Sequence, residues 1–187
     1  AARATVEPES KQRVAARAAA LIKPGDRVIL DGGTTTLALV RALPYTLAAT
    51  VITHSPTIAA ALVDHPSIEI LMLGGRIYKH SAVACGAATA EAAAGVSADM
   101  FFLGVTGVHP EAGLTTGDAE EAAMKRTLAG RAADTYVLAS MEKIGAISAY
   151  RVLDLRAVTA IITDSDVDSP ALEQLRQRGT DVIASGT

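Results

Sequence analysis

Cysteine is almost absent from the 187 residues: the single Cys85 has no partner for an internal disulfide and is too few for a structural zinc site. Long apolar runs are missing as well. Half of the residues are hydrophobic, yet no uninterrupted stretch approaches the ~20 residues that a bilayer-spanning helix needs. The first ten residues carry Arg3, Glu7 and Glu9 and no apolar block, so they do not read as a secretory signal. Charged residues make up only 20% of a chain rich in apolar side chains, which excludes disorder. A net charge of −3 gives no global sign of a nucleic-acid binder. No internal repeat of roughly 20–50 residues is present. What remains is one large globular domain with enough apolar material for a good core. The cysteine usage fits a reducing compartment, and we expect the cytoplasm.

The charge that is present is unevenly placed. Residues 1–27 hold six basic and three acidic side chains, a sum of +3, which leaves −6 for the other 160. That basic leading edge fits either a solvated helix face or a segment facing a polyanionic or missing neighbour. The chain opens Ala1-Ala2-Arg3 rather than with Met, which raises the expectation of a fragment.

Val14, Ala18, Leu21 and Ile22 form a helical stripe that Pro24-Gly25-Asp26 stops. An alternation follows. Short apolar runs at 27–31, 50–53, 67–73, 100–103, 135–139, 160–163 and 181–184 read as buried strands. Helical patterns at 35–43, 56–64, 119–130 and 170–178 lie between them. This order predicts an α/β fold, a mostly parallel sheet with helices on both faces. We divide the chain into an N-terminal arm and linker helix, 1–26, and an α/β body, 27–187.

Polar and glycine-rich clusters follow the strand ends: Asp31-Gly32-Gly33-Thr34-Thr35-Thr36, Thr53-His54-Ser55, Gly74-Gly75, Gly104-Val105-Thr106-Gly107 and Met141-Glu142-Lys143. In open parallel sheets ligands bind at the carboxyl ends of strands, so five such clusters point at one rim. The glycine-threonine loop offers close backbone approach, unpaired N–H groups at a helix start and three hydroxyls, a combination that suits a phosphate or carboxylate. A tight turn with Thr34 as N-cap explains the same residues. The loop is neither a Walker loop nor a dinucleotide fingerprint.

Asp118, Glu121 and Lys125 share one helix face. Glu121 and Lys125, four residues apart, also make an ordinary stabilising pair. Lys143, Arg76 and Lys79 are further candidate cations. His54 follows a strand directly, where a hydrogen bond to a ligand fits, whereas His65, His80 and His109 read as surface residues. No zinc spacing and no nucleophile elbow around Ser55 are present. Cys85 reads as buried filler. No cofactor and no metal are expected.

Taken in order, these motifs resemble the C-terminal effector-sensing domain of the DeoR family of bacterial transcriptional repressors. The resemblance runs from Lys11 nearly to the C-terminus. It rests on 11–15 and 21–26, on Asp31–Thr36, on Gly74-Gly75 with Ser81 and Gly86, on Phe102–Val108, and on Gly113–Thr116 with Glu120–Arg126. It implies a fold related to ribose-5-phosphate isomerase and coenzyme A transferases, and a sugar phosphate or similar phosphorylated metabolite as effector. It also implies a winged helix-turn-helix domain ahead of this chain, through which alone DNA would be bound. On this reading the ligand-binding residues are Asp31, Gly32, Gly33, Thr34, Thr35, Thr36, Thr53, His54, Ser55, Gly74, Gly75, Gly104, Thr106, Gly107, Glu121, Lys125 and Lys143.

The chain departs from the family pattern in two places. Thr53-His54-Ser55 stands where the family often has Thr-Asn-Ser, and Ser140–Gly145 keeps Lys143 but loses a leading acid and two serines. A different sugar or a larger polyol follows. The alternative is a sugar-phosphate isomerase. Against it, the stretch resembling that enzyme's acidic segment, Gly104–Val108, carries no carboxylate. We therefore expect a non-catalytic domain, assembled as a homodimer or homotetramer.

Overall fold

The computed structural model describes residues 8–164 and 169–184; the first seven residues of the expected arm, with Arg3 and Glu7, lie outside them. Six helices and twelve strands occur in this span: α1 (Pro8–Ala19), β1 (Arg27–Leu30), α2 (Thr34–Ala42), β2 (Ala49–Thr53), α3 (Pro56–Leu62), β3 (Ile68–Met72), β4 (Arg76–Tyr78), β5 (Val83–Cys85), α4 (Ala87–Ala94), β6 (Ala98–Gly104), β7 (Gly107–His109), β8 (Gly113–Thr116), α5 (Ala119–Ala129), β9 (Ala132–Leu138), β10 (Tyr150–Leu153), β11 (Ala160–Thr163), α6 (Pro170–Gln177) and β12 (Asp181–Ala184). Among the described residues no helix is long and apolar enough to cross a membrane.

The seven apolar runs are the seven strands of one sheet, ordered β12-β11-β9-β6-β1-β2-β3. All of its pairings are parallel, as the fold class requires. Successive side chains of a strand point to opposite faces, so each apolar strand feeds two cores. Ile29, Ile52, Phe101, Leu103, Val137 and Ile161 enter one layer, under residues of α4, α5 and α6 such as Ala93, Leu128 and Leu172. Val28, Leu30, Val51, Phe102, Leu138 and Ile162 enter the other, under Val14, Leu39 and Ile58 of α1, α2 and α3. The two phenylalanines of the chain are thus split between the layers, each fully buried, which stabilises the fold by about 1.5–3 kcal/mol apiece.

Helix α1 ends at Ala19, before the expected stop at Pro24; Ile22 is still buried, but as part of the loop that follows. Val14, Ala15, Ala18 and Ala19 lie in the same core as β1, so this helix is packed on the body of the fold. Five short strands escape the hydrophobic pattern. They form two antiparallel pieces, β10-β8-β7 and β4-β5, set beside the main sheet. Helix α4 was also unread, because its Ala87–Ala94 sequence is small at every position but Glu91 and has no apolar stripe.

The chain moves from β1 outward through β2 to β3, then returns to β6 on the other side of β1 and continues to β12. The direction of winding therefore reverses between β1 and β6. A crevice opens at such a reversal, outside the carboxyl ends of the strands.

Candidate functional site

Asp31 is the first residue beyond β1, at that reversal, and is 1% exposed. Its carboxylate accepts four hydrogen bonds. Oδ1 receives the Gly32 N–H at 2.8 Å and lies 2.8 Å from His54 Nε2. Oδ2 receives the Gly104 N–H at 3.0 Å and the Lys125 ammonium at 2.6 Å. Burial by itself would raise the Asp31 carboxyl, but Lys125 and His54 outweigh it and hold the group well below the usual carboxylate range.

Each partner comes from a different element. Gly104 ends β6, and its carbonyl accepts a second Lys125 N–H at 2.9 Å. Lys125 reaches in from α5, whose N-cap Asp118 accepts the Glu121 N–H at 3.0 Å. Glu121 and Lys125 are both buried. The expected pair on this helix is replaced: Lys125 bonds Asp31 across the sheet. His54 follows β2, and its Nδ1 lies 2.8 Å from the Ala84 carbonyl of β5. An ammonium has three N–H groups, so Lys125 keeps one with no acceptor among the described residues.

Three residues after Asp31, α2 begins. Its N-cap is Gly33, not Thr34, with φ 110° and ψ 170°, a backbone conformation open only to glycine. No side chain caps the helix. Thr35, in the first turn, is buried and its hydroxyl has no hydrogen-bond partner among the described residues. Helix α4 starts in the same way, behind Gly86 at φ 96° and ψ −173°, again with no side-chain cap. The strand leading into it presses on the first loop: a Cβ on Gly32 would collide with Val83 Cγ1.

The other expected residues divide into those held by the protein and those on the rim. The Thr36 hydroxyl donates to the Gly32 carbonyl at 3.3 Å and that of Thr53 to the Leu30 carbonyl at 2.7 Å. Ser55 caps α3, accepting the Ile58 N–H. Gly74 accepts the Thr89 hydroxyl at 2.9 Å, and Gly75 packs on that same threonine. Thr106 and Ser148 share a 2.6 Å hydroxyl contact, and Gly107 begins β7. Lys143 is half-buried on the 3-10 turn Met141–Lys143 after β9. Arg76 and Lys79 are exposed. Among the described residues no group of His, Cys, Asp or Glu side chains is placed to hold a metal ion.

Sequence reasoning missed β5. Its Ala84 carbonyl anchors His54, and its Cys85 lies within electrostatic reach of Asp31, Glu121 and Lys125. The one available signal was local: Cys85-Gly86-Ala87 repeats the strand-glycine-helix pattern of Asp31-Gly32-Gly33. Burial first, then the Glu121 and Asp31 carboxylates, push the Cys85 thiol up to about 11. The thiolate is the reactive form, so alkylation by iodoacetamide at about pH 8 is expected to run about 100-fold slower than for a free cysteine. Mass spectrometry over time checks this, and labelling at the free-cysteine rate would contradict the burial.

Comparison with known proteins decides the family. The DeoR C terminal sensor domain matches residues 6–165. The chain belongs to this family. It is 32% identical over 177 residues to the HTH-type transcriptional repressor GlcR of Bacillus subtilis, covering 95% of this chain and 68% of that protein. It is 30% identical over 174 residues to the HTH-type transcriptional regulator GolR of Listeria innocua, covering 93% and 68%. The share spanned falls to 65% for a further relative, so the DeoR sensor domain described here corresponds to about two thirds of such proteins.

Solved structures show the fold. Ribose 5-phosphate isomerase A from Methanocaldococcus jannaschii aligns with TM-score 0.54 at 19% identity, over 73% of this chain and 54% of that one. The eIF2B delta structure from Chaetomium thermophilum aligns with TM-score 0.57 at 18% identity, over 85% and 57%. The DeoR sensor domain thus has the α/β architecture shared by these proteins, as the motif order implies.

Proposed function

We propose that this chain is the effector-sensing part of a transcriptional repressor of sugar metabolism. On this reading it binds a sugar phosphate or similar phosphorylated metabolite where α2 begins, above Asp31 and Lys125. Binding would change how a winged helix-turn-helix domain outside the chain holds DNA. A homodimer or homotetramer belongs to the same reading.

The observation that carries it is Thr35. A buried hydroxyl without a partner costs free energy, and here it lies at an uncapped helix start whose N–H groups favour an anion. The third N–H of Lys125, beyond those to Asp31 and the Gly104 carbonyl, would add a charged donor. Contacts of this kind are worth about 1.5–3 kcal/mol each, and two or three of them suit a micromolar effector. Regulation further requires that the effector favour one arrangement of the attached DNA-binding domains.

The site is read as non-catalytic. The Asp31 carboxylate is occupied by four donors, and Gly104–Val108 offers no carboxylate as a base.

Thr35→Val keeps the shape of the side chain and removes the hydroxyl. Without ligand the variant is expected to be more stable by roughly 1–2 kcal/mol, since an unpaired buried hydroxyl costs about that much. Calorimetric titration with a panel of phosphorylated sugars and polyols, each beside its unphosphorylated form, should show phosphate-dependent heat for the parent. Affinity should be about tenfold weaker for Thr35→Val. A stability gain with no heat from any phosphorylated compound in either protein would reduce the loop to a turn.

A further inference from the structure

His54 is 1% exposed, and both of its ring nitrogens face acceptors. Nδ1 lies 2.8 Å from the Ala84 carbonyl, which can only accept. Nε2 lies 2.8 Å from Asp31 Oδ1, whose carboxylate already receives Gly32, Gly104 and the Lys125 ammonium. A neutral imidazole carries one N–H, so it would satisfy one contact and turn a lone pair toward the other acceptor. A proton on Asp31 would displace one of that carboxylate's donors.

We propose that His54 is held as an imidazolium between Asp31 and the Ala84 carbonyl, and that this second positive charge turns the buried cluster into a site for a dianionic phosphate-type group. The second half rests on the effector site proposed at α2.

The charges of the surrounding elements show why the proton matters. Asp31 beyond β1 and Lys125 on α5 cancel. Glu121, buried on the Lys125 face of α5, brings the sum to −1, and Asp118 caps the same helix. Cys85 on β5 contributes a neutral thiol at neutral pH. His54's own neighbours, β2 and α3, hold no titratable side chain. With a neutral ring, Asp31, Glu121 and Lys125 would repel a phosphate. With an imidazolium the four buried groups, Asp31, Glu121, Lys125 and His54, sum to zero, with the half-buried Asp118 outside that sum, and the start of α2 and the third Lys125 N–H then tip the site toward an anion.

Two readouts separate the halves. In the 187-residue chain without ligand, the ¹⁵N signals of the His54 ring at about pH 7.5 should be those of two protonated nitrogens, where a free imidazole is mostly neutral. A single protonated nitrogen overturns the proposal, and no variant needs to fold for this to be decided.

Sulfate, a dianion across the whole range, is then titrated by calorimetry. Its affinity should fall about tenfold over the pH at which the ring signal titrates, and His54→Asn should bind it about tenfold more weakly at neutral pH with that dependence lost. Equal sulfate affinity in parent and His54→Asn overturns the role of the charge. A charged ring with no sulfate binding at any pH overturns the α2 anion site and leaves the imidazolium standing.

Discussion

Replacing Asp31 by alanine is expected to lower folding stability by about 3–5 kcal/mol, the cost of leaving a buried charge without its partner. Lys125 at 6% exposure and His54 at 1% would lose the carboxylate they share, and the Gly32 and Gly104 N–H groups would lose their acceptor. Urea unfolding should show a lower midpoint at an unchanged slope. Asp31→Asn should be nearly as costly, because the amide presents donors to His54 or Lys125, which are themselves donors. The effect has a definite pH sense. The folded carboxyl is held below its ordinary value by Lys125 and His54 against the opposing effect of burial. A depressed carboxyl contributes its full stability above the unfolded value, ~3.9, and loses it as the pH falls toward the folded one. The difference between parent and Asp31→Ala should therefore shrink in acid. A loss under about 1 kcal/mol at neutral pH would mean that water already screens the cluster.

Lys125→Met should weaken binding of a phosphorylated sugar by about 10- to 150-fold, equivalent to one charge-assisted contact of about 1.5–3 kcal/mol. Methionine fills the space of the lysine stem but supplies no N–H for a ligand. This single change also leaves Asp31 short of its counter-charge, so stability falls as well, and the two effects need separating. The double variant Asp31→Asn with Lys125→Met removes both charges. Its stability should recover relative to the sum of the single losses, because the Lys125 ammonium that Asp31→Asn leaves buried without a counter-charge is gone, and only His54 still lacks its carboxylate. Its affinity should not recover. Binding restored along with stability would show that Lys125 acts only as a brace for Asp31 and not on the ligand.

Much of the fold was legible because apolar runs report a parallel sheet directly. A strand covered on both faces needs apolar side chains at successive positions, as in Val28-Ile29-Leu30 and Phe101-Phe102-Leu103. Most of the strands that escaped notice lack that signature; Val83-Ala84-Cys85 has it, but over three residues only. Arg76-Ile77-Tyr78 and Gly107-Val108-His109 are three residues each and lie outside the main sheet. The rim clusters were legible for a related reason: a glycine-rich polar turn after an apolar run marks where a strand ends. Their contacts were not. Thr53, Ser55 and Thr106 read in sequence like Thr35, yet only the Thr35 hydroxyl among these four lacks a partner among the described residues.

The sequence by itself determined the seven strands, the side-chain alternation that builds two cores, the strand-glycine-helix loop at Asp31 and the presence of Lys125 on a helix. Only the tertiary structure decided which charges meet. Lys125 pairs with Asp31, 94 residues away, rather than with Glu121 four residues away, and His54 joins Asp31 to a strand that no pattern announced. The reason is the range over which each force is specified. Burial of a side chain is dictated by its own chemistry and by the period of its neighbours, so it is written locally. A buried ion pair forms wherever the order of the sheet brings two charges out of water together. That order, with β1 between β2 and β6, is fixed by the packing of the whole chain.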